Sequence, residues 1–284
     1  MESMKSLYIK SCGESISKDY VWVNAENGSV GFKSEGDSEV IRKNDDLKMG
    51  LEYVDNDSSK SLIIYQDRND IWLFLAIYDE YDKKDLAGRG VFYKAAMCFE
   101  RVCNTSEKLV RSIAACWLED DASIIKLFRE CITFSDETDS GFAICYEKLM
   151  EGIKEAAKGF DKESAEAATI KESHKGLFRS GKITECSQKK MAEILRKEQL
   201  PDTNGYIVIM SSYPFSEECL TRWGTWLALV DDNSSDDEFK KAQKIKKRKH
   251  NNRSNRTKKE RKNCHYCGSY HRIRDLCSWV CALA

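Results

Sequence analysis

Over the first eighty residues, apolar side chains come in short runs bounded by turn residues. Residues 6–10 and 20–23 have strand character. The signal Asn27-Gly28, followed by residues 29–33, predicts a hairpin, because Asn and Gly tolerate the positive φ a tight turn needs. Residues 37–48 are polar and read as loop. Two further strands are predicted at 51–54 and 61–65, on either side of the turn-rich 55–59. Residues 71–78 are apolar at almost every position, as in a strand buried on both faces. These runs predict a mostly antiparallel N-terminal sheet.

After Gly90 the period becomes helical. Val91, Ala95, Cys98, Phe99 and Val102 fall on one face of a predicted helix over 91–102. Thr105 or Ser106 can cap a second helix carrying Leu109, Ile113, Cys116 and Trp117. Ile124, Ile125, Leu127, Phe128 and Ile132 mark a third. The helical run continues over 142–157 and 164–172, and Ser187 can cap a helix through Gln199 that turns Met191, Ile194 and Leu195 inward. Strand character returns at 206–210 and 225–230. Strands, a helical middle and closing strands predict an α+β body whose last strands rejoin the first sheet. No internal repeat is present.

Charge divides the chain more sharply than hydropathy does. The whole carries a net charge of −1 over 284 residues. Within residues 240–262, thirteen Lys and Arg face one carboxylate, Glu260, while residues 1–239 hold 31 cations against 45 carboxylates. An acidic body, 1–235, thus leads through a basic linker, 236–262, into a Cys- and His-rich module, 263–284. The asymmetry points to a polyanionic partner for the tail; the bland alternative is a tail lying against its own acidic body. No apolar run reaches the roughly 18 residues needed to cross a bilayer, and the N-terminus lacks the apolar core of a secretory signal. Eight cysteines scattered through the body, mostly among apolar residues, read as buried thiols in a reducing compartment. The expected location is intracellular and cytoplasmic, nuclear in a eukaryotic host, where 244–249 suits an import signal.

Motifs in the body are weak. Residues 176–182 fit the first seven positions of a phosphate-binding loop, but Ile183 stands where Ser or Thr should hold magnesium, and 171–175 before it is polar; chance explains the match. Gly88, Arg89 and Gly90 lie between the strongest strand and the first predicted helix. Amides at a helix N-terminus, with Arg89, would suit an anion there, although an ordinary strand-to-helix turn uses the same glycines. His174 is the sole histidine before residue 250, and nothing places a nucleophile beside it. Trp22, Trp72, Trp117, Trp223 and Trp226 sit in apolar periodic contexts and read as core. No catalytic constellation stands out.

In the tail the spacing itself is a constraint. Cys264-x2-Cys267-x3-His271-x5-Cys277 offers three thiolates and an imidazole, while replacing His271 by Cys281 offers four thiolates. Either set suits one tetrahedral structural zinc, whose binding would supply the folding energy so short a segment lacks; free or disulfide-linked thiols are the alternative. Cys264-His-Tyr-Cys267-Gly268, with His271 and Cys277, resembles the CCHC zinc knuckle of retroviral nucleocapsids and cellular single-strand RNA-binding proteins. The overall span and the glycine after the second Cys match that family. The inner gaps here are three and five where the family has four and four, which keeps the all-cysteine set open. The resemblance covers about fourteen residues. It implies that Tyr266 and Tyr270 stack on unpaired bases while the basic run holds phosphates. That run includes Lys244, Lys246, Lys247, Arg248 and Lys249, then Arg253, Arg256, Lys258, Lys259 and Arg261.

The sequence therefore predicts a non-catalytic adaptor: a body that binds protein partners and a zinc-stabilised basic tail that binds RNA or single-stranded DNA, with no membrane involved. An effector enzyme delivered to nucleic acid by the tail, and a tail serving as a protein-docking module, are the alternatives.

Overall fold

The computed structural model describes residues 4–15, 17–18, 20–32, 60–84, 86, 88, 90–101, 104–119, 121–158, 177–213, 215–231 and 243–244. All belong to the first of the two units into which the chain divides, Met1–Ile245. The fold mixes helices with a mostly antiparallel sheet and is α+β.

Six strands come first: β1 (Met4–Ser11), β2 (Val21–Asn24), β3 (Val30–Phe32), β4 (Ser61–Gln66), β5 (Asp70–Lys84) and β6 (Gly90–Glu100). The predicted hairpin is present, with β2 antiparallel to β3 and Gly28 at φ 68° in the connection. The helices α1 (Asn104–Glu119) and α2 (Asp121–Cys131) follow, then the small hairpin β7 (Ile132–Phe134) and β8 (Phe142–Ile144), then α3 (Tyr146–Lys158). The last part runs β9 (Leu177–Gly181), α4 (Glu185–Lys197), β10 (Gly205–Ser211), α5 (Glu217–Arg222), β11 (Leu227–Val230) and β12 (Gln243–Lys244).

Ten of these strands form one sheet in the order β12-β9-β11-β10-β4-β5-β6-β1-β2-β3. The closing strands do rejoin the first sheet: β10 pairs antiparallel with β4, setting Ile209 opposite Ile63. β10, β11 and β9 run parallel, and the other pairings are antiparallel. Parallel neighbours need a crossover, and the two crossovers lie on opposite faces. Met191 and Leu195 of α4 enter the core on one face, and Leu220 of α5 enters the core on the other.

Period-two alternation sorts β5 between these two cores. Ile71, Leu73 and Leu75 face a cluster that also takes Val110, Ile113 and Trp117 from α1, Phe128 from α2 and Leu149 from α3. Trp72, Phe74 and Ala76 face a smaller cluster containing Trp22, Tyr65, Tyr206, Phe215 and Leu220. Each fully buried side chain of this size contributes roughly 1.5–3 kcal/mol.

Polar groups join the helices. Arg111 on α1 donates to Leu195 O at 2.7 Å, taking up a carbonyl of the last turn of α4 that the helix itself leaves open. Glu107, one turn earlier, accepts from Arg111 Nε at 2.9 Å and from Leu200 N at 2.7 Å. A Cβ on Gly152, within α3, would lie 2.2 Å from Leu127 Cδ1. That approach to α2 explains a residue that costs a helix interior about 1 kcal/mol.

Four expectations need correction. Residues 91–100 form β6 and not a helix: Val91, Tyr93, Ala95, Met97 and Phe99 are buried on one face while Ala96 and Cys98 are buried on the other. A central strand is apolar on both sides, so its sequence shows no single period. Residues 142–144 are strand, and the helix begins only at Tyr146. The cap of α4 is Thr184, with Ser187 in its first turn; Ser187 N donates to Thr184 Oγ1 at 3.1 Å and Thr184 N to Ser187 Oγ at 2.9 Å. α1 starts at Asn104, so Thr105 and Ser106 lie inside its first turn. The strand expected at 51–54 and the helix expected at 164–172 lie outside the described residues.

Candidate functional site

An open polar groove of about 430 Å³ lies where the β4–β5 turn meets the loop before β10, lined by Arg68, Arg101, Asp202, Thr203 and Asn204. Arg101 follows the last residue of β6, so the sheet itself sets its position. Its guanidinium donates to Asn204 Oδ1 at 2.6 Å, to Asp202 Oδ1 at 2.8 Å and to the carbonyl of Asp67. Gln66, the last residue of β4, reaches the same loop, donating to Pro201 O at 3.0 Å and Thr203 O at 3.3 Å. The donors of Arg101 are committed to holding that loop. The groove therefore contains a brace between two turns. A second open groove is formed by Glu217, Glu218, Thr221 and Arg222 on α5, where Arg222 pairs with Glu218 at 3.2 Å.

Several cations of the body are matched by carboxylates. Arg179 on β9 makes a two-pronged contact with Glu198, at 2.9 and 3.1 Å, and lies 6.0 Å from the Trp226 ring. Arg196 pairs with Glu119 across α4 and α1. Lys5 pairs with Asp70, whose hydrogen bond holds the ammonium above its ordinary pKa. Such pairs fix elements relative to one another and leave those charges little freedom to grip a polyanion.

Thiols divide by environment. Cys12, Cys98 and Cys131 are buried, as expected of body cysteines, but Cys145 and Cys186 are exposed, which corrects that expectation for these two. Both sit at a helix start, Cys145 directly before α3 and Cys186 in the first turn of α4, where the apolar pattern no longer dictates burial. Burial pushes the Cys98 thiol up to about 12, which keeps it protonated and unreactive. Among the described residues no three His, Cys, Asp or Glu side chains converge as a metal site, and no helix is long and apolar enough to cross a membrane.

Gly88, with φ 76°, lies in the connection between β5 and β6, Gly90 opens β6 opposite Lys84, and Arg89 between them lies outside the described residues. This connection joins two antiparallel strands, so the helix N-terminus on which an anion site was expected is not there. Leu177–Gly181, within the stretch that matches part of a phosphate-binding loop, is a strand of the sheet. Lys244 lies on β12, opposite Leu177 of β9. The other tail residues singled out above, including Cys264, Cys267, His271, Cys277, Cys281, Tyr266 and Tyr270, lie outside the described residues, as does His174.

Sequence reasoning missed Arg101, the Arg179–Glu198 pair, and the meeting of Cys131 with Cys145 across β7 and β8. The last had a signal: Ile132-Thr-Phe134 and Phe142-Ala-Ile144 flank a stretch of Ser, Asp, Thr and Gly, which is the composition of a hairpin. No family model matches this chain, and no curated protein and no solved structure does either.

Proposed function

We propose that this protein is a non-catalytic adaptor whose basic C-terminal stretch, with the Cys and His residues behind it, binds RNA or single-stranded DNA while the α+β body engages a protein partner. One observation carries the reading: thirteen cations against a single carboxylate in residues 240–262, immediately ahead of Cys264-x2-Cys267. The pairing of body cations with carboxylates supports it, because it leaves the tail as the strongest positive charge in the chain. The donor set suits zinc on chemical grounds. Cys264, Cys267 and Cys277, with His271 or Cys281, would hold it, and it would act by ordering the segment around Tyr266 and Tyr270.

Fluorescence anisotropy with labelled single-stranded RNA and DNA tests this on the full-length protein, over a salt series and with and without a zinc chelator. Neutralising about five phosphates makes affinity fall roughly a hundredfold for a fourfold rise in salt. Chelation is expected to weaken binding further, and deletion of residues 240–284 to abolish it while leaving the cooperative melt of the body in place. Absence of binding at low salt refutes the nucleic-acid reading. Binding indifferent to the chelator reduces it to the basic run alone.

A further inference from the structure

Independently of the tail, the small hairpin between α2 and α3 carries a second kind of chemistry. Its register sets Ile132 opposite Ile144, Thr133 opposite Ala143 and Phe134 opposite Phe142. One step further along the same register, Cys131 stands opposite Cys145, and Cys145 N donates to Cys131 O at 2.8 Å. That single bond extends the ladder by one step to the last residue of α2, and facing antiparallel residues have Cα atoms about 5.5 Å apart, within the roughly 4.4–6.8 Å a disulfide spans.

The two thiols differ in access. Cys131 closes α2 and is 1% exposed, while Cys145 is exposed immediately before α3. Leu149 N donates to Cys145 O at 3.0 Å, so Cys145 sits at the start of that helix. Lys148, in the same turn, pairs with Glu130 at 2.8 Å and is close enough for its charge to act on both thiols. Burial raises the pKa of Cys131, Cys145 and Glu130 raise it further, and the Lys148 ammonium opposes the rise. An exposed sulfur at a helix start, backed by a buried sulfur at the end of the preceding helix, has the layout of an attacking thiol with its resolving partner.

We propose that Cys131 and Cys145 form a reversible disulfide, made by exchange with a small-molecule disulfide such as oxidised glutathione. Cys145 thiolate attacks one glutathione sulfur, and the other leaves as thiolate and takes up a proton. Cys131, deprotonated, then attacks Cys145 Sγ and displaces the second glutathione. Two protein thiols lose two electrons and two protons, and one glutathione disulfide becomes two glutathione thiols. The bond ties the end of α2 to the start of α3.

The sequence makes the test clean. Cleavage after Arg129 and Lys148 releases one peptide, residues 130–148, that contains both cysteines and no other. The full-length protein is equilibrated with glutathione buffers of increasing oxidised fraction, quenched with N-ethylmaleimide, digested and weighed without reduction. The expected product is a peptide two hydrogens lighter with neither thiol alkylated, formed in most copies at the oxidised end and restored by dithiothreitol. Cys131→Ser is expected to trap the glutathione adduct on Cys145. The proposal is overturned if both thiols stay alkylated at every ratio, if wild-type Cys145 stops at the glutathione adduct, or if either sulfur pairs with a different cysteine. The wild-type map decides the question even if the variant fails to fold.

Discussion

The two faces of the sheet are built from different materials. One, covered by α1 to α4, packs mainly aliphatic side chains, such as Leu73 and Met97 from the sheet against Val110 and Leu195 from the helices. The other, where Leu220 of the six-residue α5 packs, is rich in rings: Tyr65 meets Tyr206 at 5.2 Å, and Tyr206 and Phe215 meet Trp223 at 5.1 and 5.3 Å. Aliphatic chains from long helices interdigitate over a wide area. A short helix offers few side chains, so the rings, each burying far more surface, supply the contact. The helical face should therefore set global stability and the ring face local stability.

Truncation on the helical face gives the largest effect expected here. Trp117→Ala in α1 removes a fully buried ring and should cost about 3–5 kcal/mol, lowering Tm by roughly 10 °C in a thermal melt. Trp117→Phe should cost much less, since the buried indole N–H makes no hydrogen bond among the described residues. Next comes Leu220→Ala on the ring face, about 2 kcal/mol, expected mainly as faster amide exchange in α5 with a smaller change in global Tm. Equal loss in exchange and in global melting would break the comparison and make the two faces one cooperative unit.

A third effect is in pH, and it is spread over a wide range. Cys98 lies on the ring face of β6 with its pKa raised by burial from 9.0 to about 12. Above pH 9 the unfolded chain releases this proton while the folded chain keeps it, so stability falls as pH rises toward 12. The slope from this one group is at most about 1.4 kcal/mol per pH unit. Denaturant midpoints for Cys98→Ala should decline less steeply over that range than those of the wild type.

What could be read from the sequence follows from how many faces each segment buries. α1, with one apolar stripe, and β4, flanked by turn residues, were both legible. β6 was not, because Ala95, Ala96, Met97 and Cys98 are apolar on both sides and suit a helix as well as a strand. α5 escaped notice because six residues hold less than two turns, and its start is marked only by Ser216, whose side chain accepts from Cys219 N at 3.2 Å. The Cys and His spacing of the tail is a property of sequence and could be read directly. The Cys131–Cys145 juxtaposition depends on hairpin register, which two cysteines fourteen positions apart do not reveal.

The pairing of β4 with β10 has a consequence for the chain as it is made. All six residues of β4 are buried, and one of its edges finds its partner at once in β5. The other edge is completed only by Gly205–Ser211. At about 5–20 residues per second, a ribosome needs on the order of ten seconds to supply that strand. Throughout that interval the nascent chain presents an apolar strand with unused backbone donors and acceptors, a template to which a second nascent copy can add. Polysome crowding, more than temperature, should then set the yield of correctly folded protein.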